Sequence, residues 1–374
     1  MTDPRMPVPR VIPPLSAPRV IAPLAAPRVI VPLAAPRVIA FGDVFDDVIV
    51  TPAGDIRPDT DTAATIERRS GGSAANAAAW FGHLGSESHF FGRVGAADVD
   101  RHAAELADAG VAAHLLADTE RPTGTIVVVL QPDRTRTMLT ERGANVLTGP
   151  ADVDRALLAP GAHLHLTGYS LFNDVPGTER MSAVRACAAL IAAATAAGMT
   201  ISVNPGSAGF IADHGADTVL DASRGATVLL PNLDEGRALI ASAGPAAPGS
   251  SAADPEEVAT ALLAHAPVVA LTMGRGGVLA AVRRAHGHPL VVRVPALLVD
   301  PVDTTGAGDA FSAGFVHALL TGGSVVAEAI DEARLERAAR EGVRCAAIAI
   351  QRLGARPPVA GRPEPVTATE TVPV

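Results

Sequence analysis

The chain has 374 residues, of which 48% are hydrophobic and 3% aromatic, so a large core must be built mainly from Ala, Val, Leu and Ile. The net charge of −9 argues against a nucleic-acid binder, because neutralising phosphates needs a basic face. The chain contains no lysine, and all 30 of its Lys or Arg residues are arginine. This excludes a P-loop lysine and a Schiff-base lysine.

The first 35 residues form a repeat. PRVIPPLSA (9–17) recurs as PRVIAPLAA (18–26) and PRVIVPLAA (27–35), with two or more prolines in every copy. So short and proline-rich a unit cannot make its own turn of structure, so we expect residues 1–35 to be disordered. No apolar run approaches the ~20 residues that span a bilayer. We therefore expect a soluble, cytoplasmic protein without a membrane partner.

From residue 37 onwards, strand-like runs alternate with Ala-rich helical stretches. The runs are 37–42, 89–94, 162–169, 200–204, 227–232 and 268–274, and the helical stretches include 76–84, 100–110 and 180–198. Continuous apolar strands alternating with helices predict a three-layer α/β/α domain around a mostly parallel sheet.

Two segments break this rhythm. Residues 46–56 read as strand and turn, and 123–139 as a hairpin around Pro132 and Asp133. We expect them to form a small β-sheet lid, from about 46–70 and 120–141, within a domain of residues 36–357. Residues 242–257 are predicted to be a loop, and the proline-rich residues 358–374 a disordered tail.

The stretch DTTGAGDAFSAGF (303–315) places one carboxylate at the start of an apolar helix. Gly306, Ala307 and Gly308 leave the backbone open to a ligand, and the free N–H groups and dipole of the helix form an anion site. Asp309 would then take a proton from an attacking hydroxyl while the backbone holds a phosphoryl group. A glycine turn with Asp309 as helix cap explains the stretch equally well.

Two more stretches combine a turn with a helix start. In SGGSAANAAAWFGHLG (70–85), glycines precede Asn76, whose amide suits vicinal hydroxyls, although a capped turn is the simpler interpretation. In PNLDEGRAL (231–239), Asn232 and Glu235 share the first turn of a helix at a strand end. Open α/β sheets bind ligands there, and hydrated Mg²⁺ would fit; a capped helix with a solvated Glu is the alternative.

The stretch LTMGRGGVLA (271–280) joins two strand-like runs through a glycine-rich turn. Its backbone and Thr272 would contact nucleotide phosphates, or the stretch is an ordinary hairpin. An NAD site is excluded because no GxGxxG opens a helix after the first strand.

The remaining metal or disulfide candidates are weak. His163 and His165 have the spacing of a metal pair, but no third ligand is evident, so buried or hydrogen-bonded histidines are the better interpretation. Cys187 and Cys345 lie in apolar runs, which predicts two buried thiols.

Together these stretches resemble the ribokinase family, the PfkB-type carbohydrate kinases. GGSAANAAAWFGHLG is similar to the family's first signature and DTTGAGDAF to its second, with PNLDE and TMGRGG in the expected order. The resemblance covers about residues 36–357. It implies a ribokinase-like fold, ATP and Mg²⁺ as cofactors, and phosphoryl transfer to an alcohol group of a small-molecule sugar.

The resemblance also implies a role for each matching residue. Asp309 matches the catalytic base, and Gly306, Ala307 and Gly308 match the anion hole. Asn232 and Glu235 match residues that hold Mg²⁺ through water. The nucleotide contacts are matched by Thr272, Gly274 and Gly276, and the sugar contacts by Asp47, Gly71, Gly72 and Asn76. Asp303 and Thr305 match part of a monovalent-cation site, completed around Gly354, so K⁺ is a candidate cofactor.

Some positions depart from ribokinase itself. Ser73-Ala74 stands where ribokinases commonly have Lys-Gly, and Phe45 where they tend to have Asn. Pro357-Pro358 lacks a side-chain oxygen that would help a potassium site. These departures put ribose specificity in doubt, not the kinase reaction.

The acceptor stays open between a sugar, 2-keto-3-deoxygluconate, fructose and a nucleoside. Arg142 is expected where the lid meets the substrate and favours an acid, while one Trp and one Tyr give little base-stacking capacity. A non-catalytic binder of sugar or nucleotide is the alternative from another class. Family members often dimerise through the side sheet, and TIVVVL (125–130) suggests a homodimer through the lid.

Overall fold

A computed structural model of the protein describes residues 35–131, 136–172, 180–241 and 254–358. The predicted turn at Pro132 and Asp133 lies outside these residues. The segments predicted to be disordered, 1–35 and 358–374, also lie outside the described residues, except for Ala35 and Pro358.

The described residues form thirteen strands and ten helices. The strands are β1 Arg37–Phe41, β2 Phe45–Pro52, β3 Ala64–Gly71, β4 Glu87–Gly95, β5 Val111–Asp118, β6 Gly124–Leu130, β7 Arg136–Glu141, β8 His163–Thr167, β9 Thr200–Asn204, β10 Val228–Leu229, β11 Val268–Thr272, β12 Val278–Val282 and β13 Leu290–Val294. The helices are α1 Ser73–His83, α2 Val99–Asp108, α3 Gly168–Leu171, α4 Arg180–Ala196, α5 Ala208–His214, α6 Ala216–Ala222, α7 Leu233–Ile240, α8 Pro255–Leu262, α9 Ala307–Thr321 and α10 Glu332–Ile350.

Nine strands form the large sheet, in the order β13-β12-β11-β10-β9-β8-β1-β4-β5. Neighbours are parallel except where β12 pairs with β11 and with β13. The six strands predicted from apolar runs all lie in this sheet. Only β10 is much shorter than expected, because Pro231 has no N–H for the ladder and Asn232 already caps α7.

Helices cover both faces of this sheet. Val38 and Ala40 of β1 pack with α1, α2, α9 and α10, whereas Ile39 and Phe41 pack with the helices from α4 to α8. Burial on both faces is the reason that these strands have continuous apolar sequences. The predicted three-layer architecture is confirmed.

Four strands form a second, smaller sheet, in the order β3-β2-β6-β7. The pair β2–β6 is parallel, and the other two pairs are antiparallel. The sheet is built from the two segments predicted to lie outside the main alternation. Its action as a lid stays a prediction.

The prediction of a loop over residues 242–257 is wrong for its last residues, where helix α8 begins. Asp254 caps α8 by accepting a hydrogen bond from the Glu256 amide at 2.8 Å, and Pro255 is the first helical residue. Glu257 completes a capping box, a pattern that local sequence specifies. No helix within the described ranges is long and apolar enough to cross a membrane.

Candidate active site

The candidate site lies at one edge of the large sheet. Strands β1, β8, β9, β10 and β11 run parallel, so their carboxyl ends meet there. Asp43, Asn204, Asn232 and Thr272 each end or follow one of these strands. The small sheet is joined to the same edge, because β2 begins just after Asp43 and β3 leads into α1.

The GAGD turn forms the N-terminus of α9. Gly306 is the N-cap with a left-handed φ of 75°, and a Cβ there would lie 2.2 Å from Cβ of Ala355. The fold therefore requires glycine at this position. A Cβ at Gly308 would meet no described atom closer than Nδ2 of Asn204, at 3.8 Å. Packing therefore does not require glycine at position 308. The missing side chain leaves open space in front of the N–H groups of the helix.

Asp309 lies in the first turn of α9 and is held by α1. Its Oδ1 accepts a hydrogen bond from Oγ of Ser73 at 2.6 Å, and its Oδ2 accepts one from Nδ2 of Asn76 at 3.0 Å. Gly306 is the N-cap, so the interpretation of Asp309 as the helix cap is wrong. Burial raises the pKa of Asp309 to about 6, and both hydrogen bonds oppose that rise. Such a carboxylate is ionised at pH 7 and can accept a proton.

Asp47 of β2 is a second buried carboxyl group beside this site. Gly71 makes room for it, because a Cβ there would lie 2.1 Å from Oδ2 of Asp47. Burial raises the pKa of Asp47 to about 7; the charge of Arg356 opposes this rise and that of Asp309 adds to it. In the described part of the chain, Oδ1 of Asp47 has no hydrogen-bond partner. A buried acceptor left in this way suits a ligand hydroxyl.

Gly72 and Asn76 shape the first turn of α1. Gly72 is the N-cap with a φ of 99°, and a Cβ there would lie 2.4 Å from the carbonyl oxygen of Asp43. The Asn76 side chain reaches Asp309 and does not cap its own helix. Its Oδ1 is buried and finds no partner among the described residues, so the amide keeps an acceptor for a ligand hydroxyl.

Arg142 forms an ion pair with a buried carboxylate beside the site. Its Nη2 donates a hydrogen bond to Oδ1 of the buried Asp43 at 2.8 Å. Burial raises the pKa of Asp43 to about 6, and the charge of Arg142 opposes this rise. Arg142 therefore compensates a buried carboxylate, and its predicted contact with an acidic acceptor is not needed to explain it.

Asn232 and Glu235 form a capping box at the start of α7. Oδ1 of Asn232 accepts from the Glu235 amide, while Oε2 and Oε1 of Glu235 accept from the backbone and side-chain nitrogens of Asn232 at 2.9 and 2.6 Å. Burial raises the pKa of Glu235 to about 7, although the backbone hydrogen bond opposes it. One lone pair on each oxygen is left, which fits the water shell of Mg²⁺ better than a direct metal bond.

The candidate potassium residues also meet. Oδ1 of buried Asp303 accepts from the amide and hydroxyl of Thr305 at 2.9 and 2.7 Å. Its Oδ2 accepts from the Gly354 amide at 3.2 Å, which joins the two predicted halves of this site. Three donors already neutralise part of the carboxylate charge, so a K⁺ ion would have to use the remaining oxygen lone pairs and backbone carbonyls.

An open pocket of about 300 Å³ lies between β11 and the N-terminus of α9. Thr272 and Gly274 line it, and Gly277 lines it in place of the predicted Gly276. Its other walls include Leu297, Leu298, Phe311, Val343 and Ile350, which form an apolar slot beside Ala307 and Gly308. A flat base would fit the slot, and its phosphates would then reach the free N–H groups of α9.

Comparison with known proteins decides the family. Residues 35–360 match the sequence model of the pfkB family carbohydrate kinases. The chain belongs to this family. An ATP-dependent ribose-1-phosphate kinase of Halopiger xanaduensis is 32% identical over 325 residues, covering 82% of this chain and 90% of that protein. The predicted family and reaction class, phosphoryl transfer from ATP to a sugar hydroxyl, are confirmed.

Solved structures agree on the fold of this kinase. An adenosine kinase of Sinorhizobium meliloti matches with a TM-score of 0.69 at 25% identity, over 87% of this chain and 96% of that one. A ribokinase of Thermotoga maritima matches with a TM-score of 0.64 at 20% identity, over 85% and 94% of the two chains. The predicted ribokinase-like fold is confirmed.

Three residues that the structure places in the candidate site were not predicted as site residues from the sequence. Ser73 stood out only as a departure from ribokinase, yet it bonds Asp309. Asn204 ends β9 beside Gly308, and Tyr169 follows β8, where burial raises its pKa and the charge of Asp309 adds to the rise. Asn204 and Tyr169 could have been predicted from the rule that ligands bind at the carboxyl ends of parallel strands.

Other predictions about polar core residues of the kinase hold. His163 and His165 share Oγ of Ser202 at 2.7 and 2.8 Å, and burial lowers their pKa values to about 3 and about 4. They are buried, hydrogen-bonded histidines, and the described residues contain no cluster of three metal-binding side chains. Cys187 and Cys345 are buried free thiols.

Proposed function

We propose that Asp309 is the base with which this kinase phosphorylates a hydroxyl of a sugar or sugar phosphate. The observation that carries the proposal is the placement of its carboxylate. It lies at the N-terminus of α9, has a pKa of about 6, and is held on both oxygens by α1. A proton acceptor and an anion site therefore stand within one helical turn.

In the proposed reaction, the acceptor oxygen attacks the γ-phosphorus and its proton passes to Asp309. The bond from the γ-phosphorus to the bridging oxygen breaks, and ADP leaves with that oxygen. The backbone at 306–309 would stabilise the charge on the transferring group. Asp47 and Asn76 each keep a buried oxygen without a partner among the described residues, and these oxygens would orient the acceptor hydroxyls.

ATP is expected to place its base in the apolar slot and its phosphates over Gly308. Asn232 and Glu235 would hold the waters of a Mg²⁺ ion, which neutralises phosphate charge when bound. Asp303, Thr305 and the Gly354 segment would hold K⁺. Use of ATP as the donor also favours the cytoplasm as the compartment.

The relative from Halopiger makes a sugar phosphate the first acceptor to test. Release of ADP from Mg·ATP should be measured with ribose-1-phosphate, ribose, fructose, 2-keto-3-deoxygluconate and adenosine. We expect one acceptor to exceed the others by at least about tenfold in kcat/KM, since polar contacts to hydroxyls discriminate strongly.

Asp309→Asn tests the base directly. We expect kcat to fall about 10²–10⁴-fold with the best acceptor, while the melting temperature stays near that of the wild type. Near-normal turnover in the folded variant would sink the proposed mechanism. A wild-type protein that binds ATP but phosphorylates none of these acceptors would mean either an acceptor outside the panel or the non-catalytic alternative.

We further propose a homodimer through the small sheet. One face of this sheet carries two exposed apolar side chains, Ile66 and Leu139, with 65% and 61% of their surface exposed. A second copy would bury them. Light scattering after gel filtration should give twice the chain mass, and Leu139→Arg should give the monomer mass.

A further inference from the structure

Two side chains of α1 grip the carboxylate of Asp309. Ser73 and Asn76 are three positions apart, so they lie on one face of the helix. Ser73 donates to Oδ1 at 2.6 Å and Asn76 to Oδ2 at 3.0 Å, although Ser73 and Asp309 are 236 positions apart in the sequence. The Ser73 contact lies within the range of about 2.5–2.7 Å that is typical of an O–H group bonded to a charged oxygen.

The hydrogen bonds from Ser73 and Asn76 leave part of the lone pairs of the Asp309 carboxylate available. An ionised carboxylate offers about four lone-pair sites, and α1 occupies one on each oxygen. Rotation of the carboxylate is thereby restricted, and its remaining lone pairs keep one direction. Ser73 does not use its hydroxyl to cap α1, because Gly72 is the N-cap of that helix.

We infer that Ser73 is a positioning residue for the base, which orients the Asp309 carboxylate and keeps it ionised until the acceptor hydroxyl arrives. The inference rests on the proposed role of Asp309. Asn76 shares the contact, but it also presents Oδ1 without a partner among the described residues. Ser73 therefore contributes the stronger hydrogen bond, and Asn76 is left to contact the acceptor as well.

The charges around Asp309 make this donor important. The groups that sense its charge are Asp47 on β2, Tyr169 on α3 and Glu235 on α7, and each of these becomes negative on ionisation. Burial raises the pKa of Asp309, and the effects that lower it are the hydrogen bonds from Ser73 and Asn76. Removal of the Ser73 hydroxyl should therefore shift titration to higher pH.

The test is a carboxyl ¹³C NMR titration of the full chain labelled with [¹³C]aspartate. The Asp309 resonance is assigned by its loss in Asp309→Asn. In Ser73→Ala we expect its midpoint to rise by about one pH unit, while Ser73→Thr keeps a hydroxyl and should restore the wild-type midpoint. Ser88→Ala is the matched control, because Ser88 donates to the Ala78 carbonyl of the same helix at 2.8 Å, outside the site.

An unchanged midpoint in folded Ser73→Ala would overturn the inference. If that variant does not fold, Ser73→Cys keeps a weaker donor and should give a smaller upward shift; a wild-type midpoint there overturns it equally. With the best acceptor of the panel, the acid limb of kcat/KM against pH should move upward with the NMR midpoint.

Failure of this inference is distinguishable from failure of the proposed function. If Asp309→Asn keeps its turnover, Asp309 is not the base and both fall. If Asp309→Asn is inactive but Ser73→Ala has the wild-type midpoint and acid limb, only the role of Ser73 is wrong.

Discussion

Two glycines of the GAGD turn should respond in opposite ways to the same substitution. Gly306 has a left-handed φ of 75°, and a Cβ there would lie 2.2 Å from Cβ and 2.7 Å from Cα of Ala355. Gly308 is helical, and the nearest described atom to its Cβ position is 3.8 Å away. Gly306→Ala should therefore damage the fold, and Gly308→Ala should damage only the function.

The expected magnitudes follow from these positions. A left-handed alanine costs about 1–2 kcal/mol, and overpacking against a neighbouring backbone costs about 1–3 kcal/mol more. Gly306→Ala should thus lose about 2–5 kcal/mol of unfolding free energy. Gly308→Ala should gain up to about 1 kcal/mol from helix propensity. Its methyl group would occupy the proposed phosphate position, and a displacement of about 1 Å there can cost about 10²-fold in rate.

Urea unfolding can be followed through Trp80, the single tryptophan of the chain. Its indole Nε1 donates to the carbonyl of Ala355 at 3.0 Å, so its fluorescence reports on the contact that Gly306→Ala disturbs. Coupled ADP release measures kcat/KM for ATP in both variants. Wild-type kcat/KM in Gly308→Ala would refute the phosphate site at α9, and wild-type stability in Gly306→Ala would refute the steric reasoning.

Three further outcomes are expected. Glu235→Gln keeps a capping box with Asn232 but loses the charge, so its melting temperature should stay near the wild-type value while the Mg²⁺ concentration for half-maximal rate rises about 10–100-fold. The pKa of Asp47 is raised from 3.8 to about 7, so the stability tied to this group is complete below pH 3.8 and lost as the pH rises through 7; in urea unfolding, Asp47→Asn should be more stable than the wild type at pH 8 and lose that advantage at pH 4. His163 and His165 act with the opposite sign, because pKa values lowered to about 3 and about 4 give stability that is present above pH 6.5 and lost as the pH falls; His165→Asn should flatten the fall in unfolding free energy between pH 6.5 and 4.

Much of the fold was predictable from local sequence. Largely apolar runs of five to eight residues predicted β1, β8, β9 and β11, because strands buried on both faces need apolar side chains on both of them. Strands β3 and β5 were harder to predict. The sequence of β3, ATIERRSG, is largely polar because Gly71 alone of its residues is buried, so it lacks the apolar signal.

The site was predictable only in outline. Glycines, a helix start and one acid in DTTGAGDAF pointed to a base near an anion site, but a capping role for Asp309 was equally consistent with that stretch. The structure removes the capping role, because Gly306 is the N-cap of α9 and the Asp309 side chain bonds Ser73 of another helix. The role of Asp309 as the base is our proposal.

The sequence by itself determined the alternation of strands and helices in the large sheet, the resemblance to the family and the residue types at the carboxyl edge of the sheet. These properties depend on periodicity and caps, which act over a few residues. Only the tertiary structure decided that Arg142 pairs with Asp43, 99 positions away, and that Ser73 bonds Asp309, 236 positions away. Such pairs form because crossover connections bring distant strand ends to one edge, and no local pattern records which side chains then meet.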